Sequence, residues 1–370
     1  MRLCLLGKNA DYVLAYRGSL IRAAQARGHE VHAITATAHS DAARTRLAAA
    51  GVTLHEIPLQ GGGTNPLRDL ASQRALRRVL RAIRPDALFC YNPKGVAYGP
   101  PAARAAGVPR VAVMVTGLGY AFTGRGLRRR AVAWVAVRLF RRALRSADVA
   151  FFQNHDDLSE FHRLGVIPPG TDVRMVAGSG VDLERFAASP VPPGIRFLMV
   201  ARILRDKGAP EFVEAAREVK AACPQATFEL LGGVDDNPTA VPAAEVEAWR
   251  REGVVELPGE TVDVRPHLRA CTVFVLPSHR EGTSKVMLEA LSTGRAVITT
   301  DAPGCREPVA PGVNGLLVPV GDARALAVAM RRLAGDRAMV ERMGAAGRAL
   351  AERRYDARRV DAAILDSLGL

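Results

Sequence analysis

The amino-acid sequence predicts an α/β protein built from two Rossmann-like, doubly wound domains facing across a cleft, and three observations carry that expectation. Short apolar runs alternate with stretches of helical period. The alternation is interrupted by a proline-rich segment and then starts again. The length of 370 residues, 48% of them hydrophobic, suits two cores better than one, because single domains cluster at roughly 100–200 residues.

The apolar runs at 2–6, 31–35, 87–91, 111–115, 149–153 and 173–177 read as strands, with helical segments such as 19–27 and 70–83 between them. Strands alternating with helices make β-α-β units and a parallel sheet. The prolines of 187–194 read as a linker. Strands resume at 196–201, 227–231, 273–276, 296–299 and 315–318. The expected division is a first domain over 1–182 and a second over 195–348. A terminal helical segment, 349–370, has no strand after it and is free to close either domain. Ligands in such sheets bind beyond the carboxyl ends of the strands.

Composition narrows the function classes. Cys4, Cys90, Cys223, Cys271 and Cys305 are scattered without a C-x-x-C pair, which argues for a reducing cytoplasm and against a disulfide framework or zinc site. No run approaches the ~20 apolar residues of a membrane span, and the N-terminus turns polar too early for a secretory signal. Residues 1–182 carry 26 Lys and Arg against 12 Asp and Glu, whereas residues 183–370 carry 25 of each. The whole excess of +14 therefore lies on the first half. It suggests an anionic partner there: nucleic acid, a membrane surface or a phosphorylated substrate. A general preference for Arg over Lys is also visible, but it does not explain the asymmetry.

The second half holds the densest chemistry. In MVARILRDKG, 199–208, an apolar strand ends and leaves Arg202 and Lys207 in the loop beyond it. Two cations there can straddle a diphosphate, Arg as a fork and Lys as a point charge. In VLPSHREGTSKVMLEALSTG, 275–294, a strand ends at Pro277, Glu281 and Gly282 follow, and Thr283 or Ser284 caps a helix ending near Gly294. The N–H groups of that helix start, around Gly282, Thr283, Ser284 and Lys285, read as an anion site. Glu281 precedes the start and Glu289 lies on the order of 10 Å further on. A nucleotide sugar needs this layout: a carboxylate for sugar hydroxyls, N–H groups for the diphosphate and a carboxylate for the ribose. Taken singly, each of these residues is more simply a solvated surface group.

In combination they resemble the C-terminal domain of the retaining glycosyltransferases of family four, which have the GT-B fold. The Arg202/Lys207 loop, the Glu281…Glu289 motif, APGCREPVAPGVNG at 302–315 and GSGVDLERF at 178–186 agree with that family in order and spacing. The resemblance implies that Arg202 and Lys207 hold the donor diphosphate, Glu281 contacts the transferred sugar and Glu289 holds the ribose. It assigns Glu281, Arg202 and Lys207 to the catalytic centre. Thr283 stands where the family often has a bulky apolar residue, and Ser179 where it usually has Asn. Both departures leave sugar specificity open. The chain contains no D-x-D triplet. The two cations and the helix terminus can take the electrostatic role of a metal, so neither a metal nor a cofactor beyond the nucleotide-sugar co-substrate is expected.

On the first half, VTGLGYAFT at 115–123 and YNPKG at 91–95 follow strands. With VAFFQNHDD at 149–157, they resemble the acceptor-side loops of the subgroup that builds capsular polysaccharides and lipid-linked oligosaccharides. Thr116, Gly117, Gly119, Asn92, Lys94 and His155 are the acceptor-side candidates. His155, beside Asp156 and Asp157, reads equally as a surface histidine. In RGLRRRAVAWVAVRLFRRALR, 125–145, helical spacing gathers Val132, Ala133, Ala136, Val137, Leu139, Phe140 and Leu144 on one face and Arg130, Arg138, Arg141 and Arg145 on the other, with Trp134 among the arginines. Such a face fits an anionic leaflet. It also fits a solvated helix whose Trp is covered by a neighbouring loop.

The expectation is a glycosyltransferase bound peripherally to the inner face of the cell membrane. It would move a sugar, by resemblance an N-acetylhexosamine, from a UDP-sugar to a polyprenyl-diphosphate-linked saccharide, with retention of configuration. A UDP-sugar 2-epimerase of the same architecture is the rival enzyme. A nucleic-acid-binding protein, suggested by the pI near 10.3, is opposed by the neutral second half and the absence of a nucleic-acid module.

Overall fold

A computed structural model describes residues 1–36, 41–58, 66–117, 127–234 and 237–370, with the backbone alone for 66–68 and 127–131. The chain forms two compact units: Met1–Ser179 together with Ala357–Leu370, and Gly180–Asp356.

The first unit runs β1 (Arg2–Leu6), α1 (Ala10–Ala26), β2 (Glu30–Ala36), α2 (Asp41–Ala49), β3 (Val52–Ile57), α3 (Pro66–Ile83), β4 (Ala87–Cys90), α4 (Pro93–Ala106), β5 (Arg110–Val115), α5 (Leu127–Leu144), β6 (Val149–Phe152), α6 (His155–Arg163) and β7 (Asp172–Met175). Its seven strands are all parallel, in the order β3-β2-β1-β4-β5-β6-β7. Alternate residues of each buried strand feed opposite cores, as a two-faced sheet requires. Leu3, Leu5, Phe89 and Met114 meet α1 and α2 on one face. Cys4, Leu6, Leu88 and Val113 meet α3, α4, α5 and α6 on the other. The helices after β1 and β4 thus leave on opposite sides, and the strand order reverses between them.

The second unit contains β8 (Arg196–Val200), α7 (Ala209–Ala222), β9 (Thr227–Leu231), α8 (Ala243–Glu252), β10 (Glu256–Gly259), α9 (Arg265–Ala270), β11 (Val273–Leu276), α10 (Lys285–Ser292), β12 (Ala296–Thr300), β13 (Gly315–Val318), α11 (Ala323–Ala334) and α12 (Arg337–Arg354). Its strands are parallel in the order β10-β9-β8-β11-β12-β13, with the reversal between β8 and β11.

The structure adds to the sequence expectation at several points. α1 begins at Ala10, well before the expected 19–27, because Asn9 caps it by accepting from the Tyr12 N–H. The edge strands β3 and β10 were not expected; VTLHEI and ELPG are too polar to stand out as buried runs. The terminal segment is two helices rather than one. Tyr355, 1% exposed, ends α12 with its hydroxyl on the Glu307 carbonyl at 3.2 Å. Helix α13 (Ala357–Leu368) then packs on α1 in the first unit. Val360, Ile364, Leu365 and Leu368 join that core, and Arg27 binds both Asp366 at 2.7 Å and the Leu370 carbonyl at 2.6 Å.

The proline-rich segment is fixed to the second unit by a buried arginine. Arg295, with 0% exposure, donates from Nε to the Leu268 carbonyl at 2.8 Å and from Nη1 to the Ser189 carbonyl at 3.1 Å. Its Nη2 reaches the Pro190 and Arg269 carbonyls, each at 3.2 Å, and the Ser189 hydroxyl. Burial pulls its pKa down, but its charge is stabilised by carbonyl dipoles rather than by a carboxylate. Replacing it leaves those carbonyls unpaired, so Arg295→Met should cost roughly 2–4 kcal/mol in urea unfolding of the second unit.

Candidate active site

The loops after β8 and β11 flank the reversal of strand order in the second unit, the place where doubly wound sheets bind ligands. After β8 the chain makes a short 3-10 turn, Arg205–Lys207, and Gly208 follows at φ 75°. Glycine is required there on two grounds: the left-handed backbone, and a Cβ that would lie 2.1 Å from the Pro277 carbonyl oxygen. The β8 loop is thereby pressed against the end of β11. Two hydrogen bonds pin the loops together, from the His279 N–H to the Asp206 carbonyl at 2.9 Å and from the Ser278 hydroxyl to the same carbonyl at 3.2 Å.

This close approach brings Lys207 and Glu281 together. The Lys207 ammonium donates to Glu281 Oε1 at 2.7 Å, with 20% and 16% of the two side chains exposed. Burial would release the Lys207 proton, but the Glu281 charge and hydrogen bond outweigh it and hold the pKa above its ordinary value. Arg202 is exposed at the same loop, and its charge is felt by Lys207. On the far side, the Glu281 N–H donates to the Pro303 carbonyl at 2.9 Å. A Cβ on Gly304 would lie 1.9 Å from the Glu281 carbonyl oxygen, so that glycine lets the 302–305 segment pack directly on the Glu281 backbone.

Helix α10 starts next to this pair. Ser284 is its N-cap, its hydroxyl accepting from the Met287 N–H at 3.4 Å. Gly282 and Thr283 lie immediately before the cap, and the first N–H groups of the helix are placed to meet an anion. Lys285 opens the helix with its ammonium 3.8 Å from Glu289 Oε1. Glu289, 7% exposed, is buried rather than on the surface. Burial pushes its carboxyl up to about 7, against the pull of Lys285 and Arg185. Arg185 lies in the 178–186 motif, which is the signal that could have drawn attention to it. It also helps, after Arg265, to hold Asp263 down at about 2. His279 adds a second pair, with Nε2 3.0 Å from Glu211 Oε1. No group of three or more His, Cys, Asp or Glu able to hold a metal ion occurs among the described residues.

The described acceptor-side candidates lie just after β4, β5 and β6, the last three strands before β7. Asn92 caps α4, accepting from the Gly95 N–H at 2.7 Å, and its amide donates to the Leu6 carbonyl at 3.3 Å. Lys94 is paired with Asp69 at 3.0 Å, and the same carboxylate accepts from the Tyr98 hydroxyl at 3.0 Å. Thr116 donates to the Tyr91 carbonyl at 3.4 Å, and Gly117 follows at φ 123°. Gly119 lies outside the described residues. His155 is exposed as the first residue of α6, while its neighbour Asn154 is the buried cap.

On α5, Phe140 and Leu144 enter the core and Ala136 and Val137 pack against it. Trp134 is 59% exposed, with the Arg138 guanidinium 4.4 Å above its ring, and Arg142 and Arg145 are exposed. Arg141 corrects the expectation of a free arginine. It is half-buried, and its Nε donates to the Gly165 carbonyl at 2.6 Å, which fastens the turn after α6. The Arg130 side chain lies outside the described residues.

Residues 13–178 match the model of the glycosyl transferase 4-like domain, and residues 194–336 that of glycosyl transferases group 1. Over 340 residues the chain is 27% identical to N,N'-diacetylbacillosaminyl-diphospho-undecaprenol alpha-1,3-N-acetylgalactosaminyltransferase of Campylobacter jejuni, covering 88% of this chain and 87% of the relative. Over 321 residues it is 27% identical to the putative glycosyltransferase EpsD of Bacillus subtilis, covering 82% of each. Its fold is similar to that of Anabaena HepE solved in complex with UDP-glucose, with TM-score 0.80 and 20% identity over 100% of this chain and 99% of that one. It is also similar to that of sucrose-phosphate synthase from Thermosynechococcus elongatus, with TM-score 0.79 and 19% identity over 99% and 98% of the chains. Two parallel-sheet α/β units of this kind are the GT-B fold of glycosyltransferases. The chain belongs to family four of those enzymes, the group 1 glycosyl transferases, and is a glycosyltransferase.

The buried Glu289 generates a prediction about pH. Its folded pKa of about 7 lies above the ordinary 4.5, so the fold takes up a proton that the unfolded chain releases. That contribution is fully present below about 4.5 and is lost as pH rises through about 7. In nucleotide-free protein, Glu289→Gln should therefore gain roughly 1–3 kcal/mol over wild type at pH 8 and little at pH 5. Thermal melts across this range would show the two curves converging on the acid side. Parallel curves would refute the assignment.

Proposed function

We propose that this glycosyltransferase moves a sugar, an N-acetylhexosamine, from a UDP-sugar to a polyprenyl-diphosphate-linked saccharide, with retention of configuration and without a metal. The observation that carries the donor reading is the Lys207–Glu281 pair at 2.7 Å beside the start of α10. Arg202, Lys207 and the N–H groups at Gly282, Thr283, Ser284 and Lys285 would neutralise the diphosphate as it leaves. Glu281, ion-paired with Lys207, is better suited to accept hydroxyl hydrogens than to attack an anomeric carbon. That favours a front-face route, in which a departing phosphate oxygen takes the proton of the acceptor hydroxyl. Glu289 would accept from the ribose hydroxyls, and the field of Arg185 would help it ionise as it does so. The acceptor class draws support from the diphospho-undecaprenol saccharide in the name of the Campylobacter relative.

The same reading places the first unit on anionic lipid. Trp134, with Arg138 stacked on it and Arg142 and Arg145 exposed, presents an indole and guanidinium groups together. The excess positive charge of residues 1–182 acts in the same direction. No helix among the described residues is long and apolar enough to cross a membrane, so attachment would be interfacial, at roughly 1 kcal/mol per basic residue near the surface.

A thermal-shift panel of nucleotide sugars tests the donor, with UDP-N-acetylhexosamines expected to stabilise most. Lys207→Ala and Arg202→Ala should each weaken UDP binding roughly tenfold or more. Glu281→Gln should lower kcat/KM while leaving UDP affinity near wild type, and Glu289→Ala should lose UDP affinity. EDTA should leave turnover intact; activity lost in EDTA and restored by Mg²⁺ or Mn²⁺ would overturn the metal-free mechanism.

For the membrane reading, wild-type protein should sediment with phosphatidylglycerol vesicles at low salt and come off as salt rises. The triple variant Trp134→Ala, Arg138→Gln, Arg145→Gln should stay in solution with its fold intact. Arg141 is left in place because it holds Gly165. Wild-type protein indifferent to these vesicles would end the proposal.

A further inference from the structure

The reversal of strand order between β1 and β4 makes a second ligand-binding position, in the first unit, and an unusual group lies beneath it. Helix α1 turns Val13, Leu20, Ile21 and Ala24 into the core, and Arg17 lies on that same face at 2% exposure. A helical side chain leans back toward the helix N-terminus, which here is the carboxyl edge of the sheet. Arg17 accordingly reaches the ends of β4 and β5. Its guanidinium carbon is 4.6 Å from the centre of the Tyr91 ring and 5.2 Å from that of Phe89. Its Nη2 donates to Met114 Sδ at 2.9 Å.

Buried arginines are ordinarily paired with carboxylates. Arg17 feels the charge of the buried Asp361 on α13, but its Nε has no hydrogen-bond partner. The nearby Tyr91 hydroxyl, at the end of β4, is also buried without one. Gly7, just after β1, makes room for that hydroxyl, since a Cβ there would lie 2.5 Å from it. The neighbouring strands add another donor: Gln153, just after β6, gives its amide N–H to the same Met114 sulfur at 3.2 Å. Two nitrogen donors thus converge on one thioether, a weak acceptor, while Nε of Arg17 and the Tyr91 hydroxyl have none. Two buried donors thus have no acceptor at a position where ligands bind. Lys8, next to Gly7 in the loop after β1, adds positive charge, its ammonium 5.3 Å from the centre of the Tyr12 ring.

We propose that Arg17 and Tyr91 form an anion-binding floor in the first unit that receives an anionic oxygen of the acceptor substrate. The oxygen accepts from Arg17 Nε and from the Tyr91 hydroxyl and supplies the acceptor that both of them lack. This rests on the first unit being the acceptor-binding half of the proposed transferase. A phosphate of a lipid diphosphate and a carboxylate of an acidic sugar share the required chemistry. The second unit answers this arrangement at its own strand reversal with Arg202 and Lys207, so each sheet carries cations at its switch point.

The test uses the whole protein. With the donor site saturated by UDP, wild type is titrated with inorganic pyrophosphate by calorimetry and should still bind it. Tyr91→Phe, which keeps the ring packed on Arg17, should weaken that second binding several-fold, and Arg17→Met by about tenfold or more. UDP affinity and the slow hydrolysis of the donor by water should be unchanged in both. Pyrophosphate that does not bind the UDP-saturated wild type, or binds Tyr91→Phe as tightly as wild type, overturns the proposal and leaves the cluster a structural one. Should Arg17→Met fail to fold, Tyr91→Phe still decides. Kinetics then separate the two sources. A higher KM on a polyprenyl-diphosphate saccharide but not on its alkyl glycoside identifies the diphosphate, and a higher KM on both identifies a sugar acid. If wild type transfers to no lipid-linked saccharide yet pyrophosphate binding responds to Tyr91→Phe, the acceptor reading fails and the anion floor stands.

Discussion

Parallel sheets whose strand order reverses impose one constraint on the whole molecule. Where the helices of two neighbouring strands leave on opposite faces, no helix covers the strand ends between them, and the loops there must manage exposed backbone and charge. In the second unit that gap lies between β8 and β11, and in the first between β1 and β4. The close approaches at Gly208 and Gly304 draw the loops around the second gap together, bringing the Lys207 ammonium onto Glu281. The geometry of the residues around this gap follows from this convergence more than from any individual side chain.

Charge in this protein is handled differently according to its burial. On the surface, arginines pair with carboxylates in ion pairs such as Arg163–Glu160 and Arg217–Glu252, which contribute little each. Inside, the solutions diverge. Arg295 is satisfied by a ring of carbonyls and has no need of a counter-ion. Lys207 is held charged by Glu281. Glu289 is instead driven toward its neutral form by burial, and Arg17 is left with its Nε unbonded. The last two are costly for an empty fold, and both lie at positions where a ligand can supply the missing hydrogen bond or charge. Arrangements that lower stability without a structural return concentrate at functional sites.

The helix around Trp134 shows how one element can serve two purposes. Phe140 and Leu144 anchor it in the core of the first unit, and Arg141 fastens the turn after α6. The remaining outward residues are released from structural duty, which is why an exposed indole beside guanidinium groups persists there.

Much of this was legible in the sequence because the relevant signals are local. Buried parallel strands are continuous apolar runs, so most appear directly, whereas the edge strands β3 and β10 are polar enough to escape notice. The residues proposed to bind the donor fall in two short segments, 199–208 and 275–294, each a strand end followed by a loop, and their residue types suggest that chemistry. The sequence by itself therefore determined the two-unit α/β plan, the asymmetry of charge and the two loops proposed to take the donor. Tertiary structure decided what depends on distance between segments remote in the chain. It buried Glu289, paired Lys207 with Glu281 and Lys94 with Asp69, turned Arg141 inward and carried α13 back to the first unit. It also brought Arg17, Tyr91 and Met114 from separate segments to one point. Burial and pairing arise only when separate loops and helices are folded against one another, and no periodicity along a single segment encodes them.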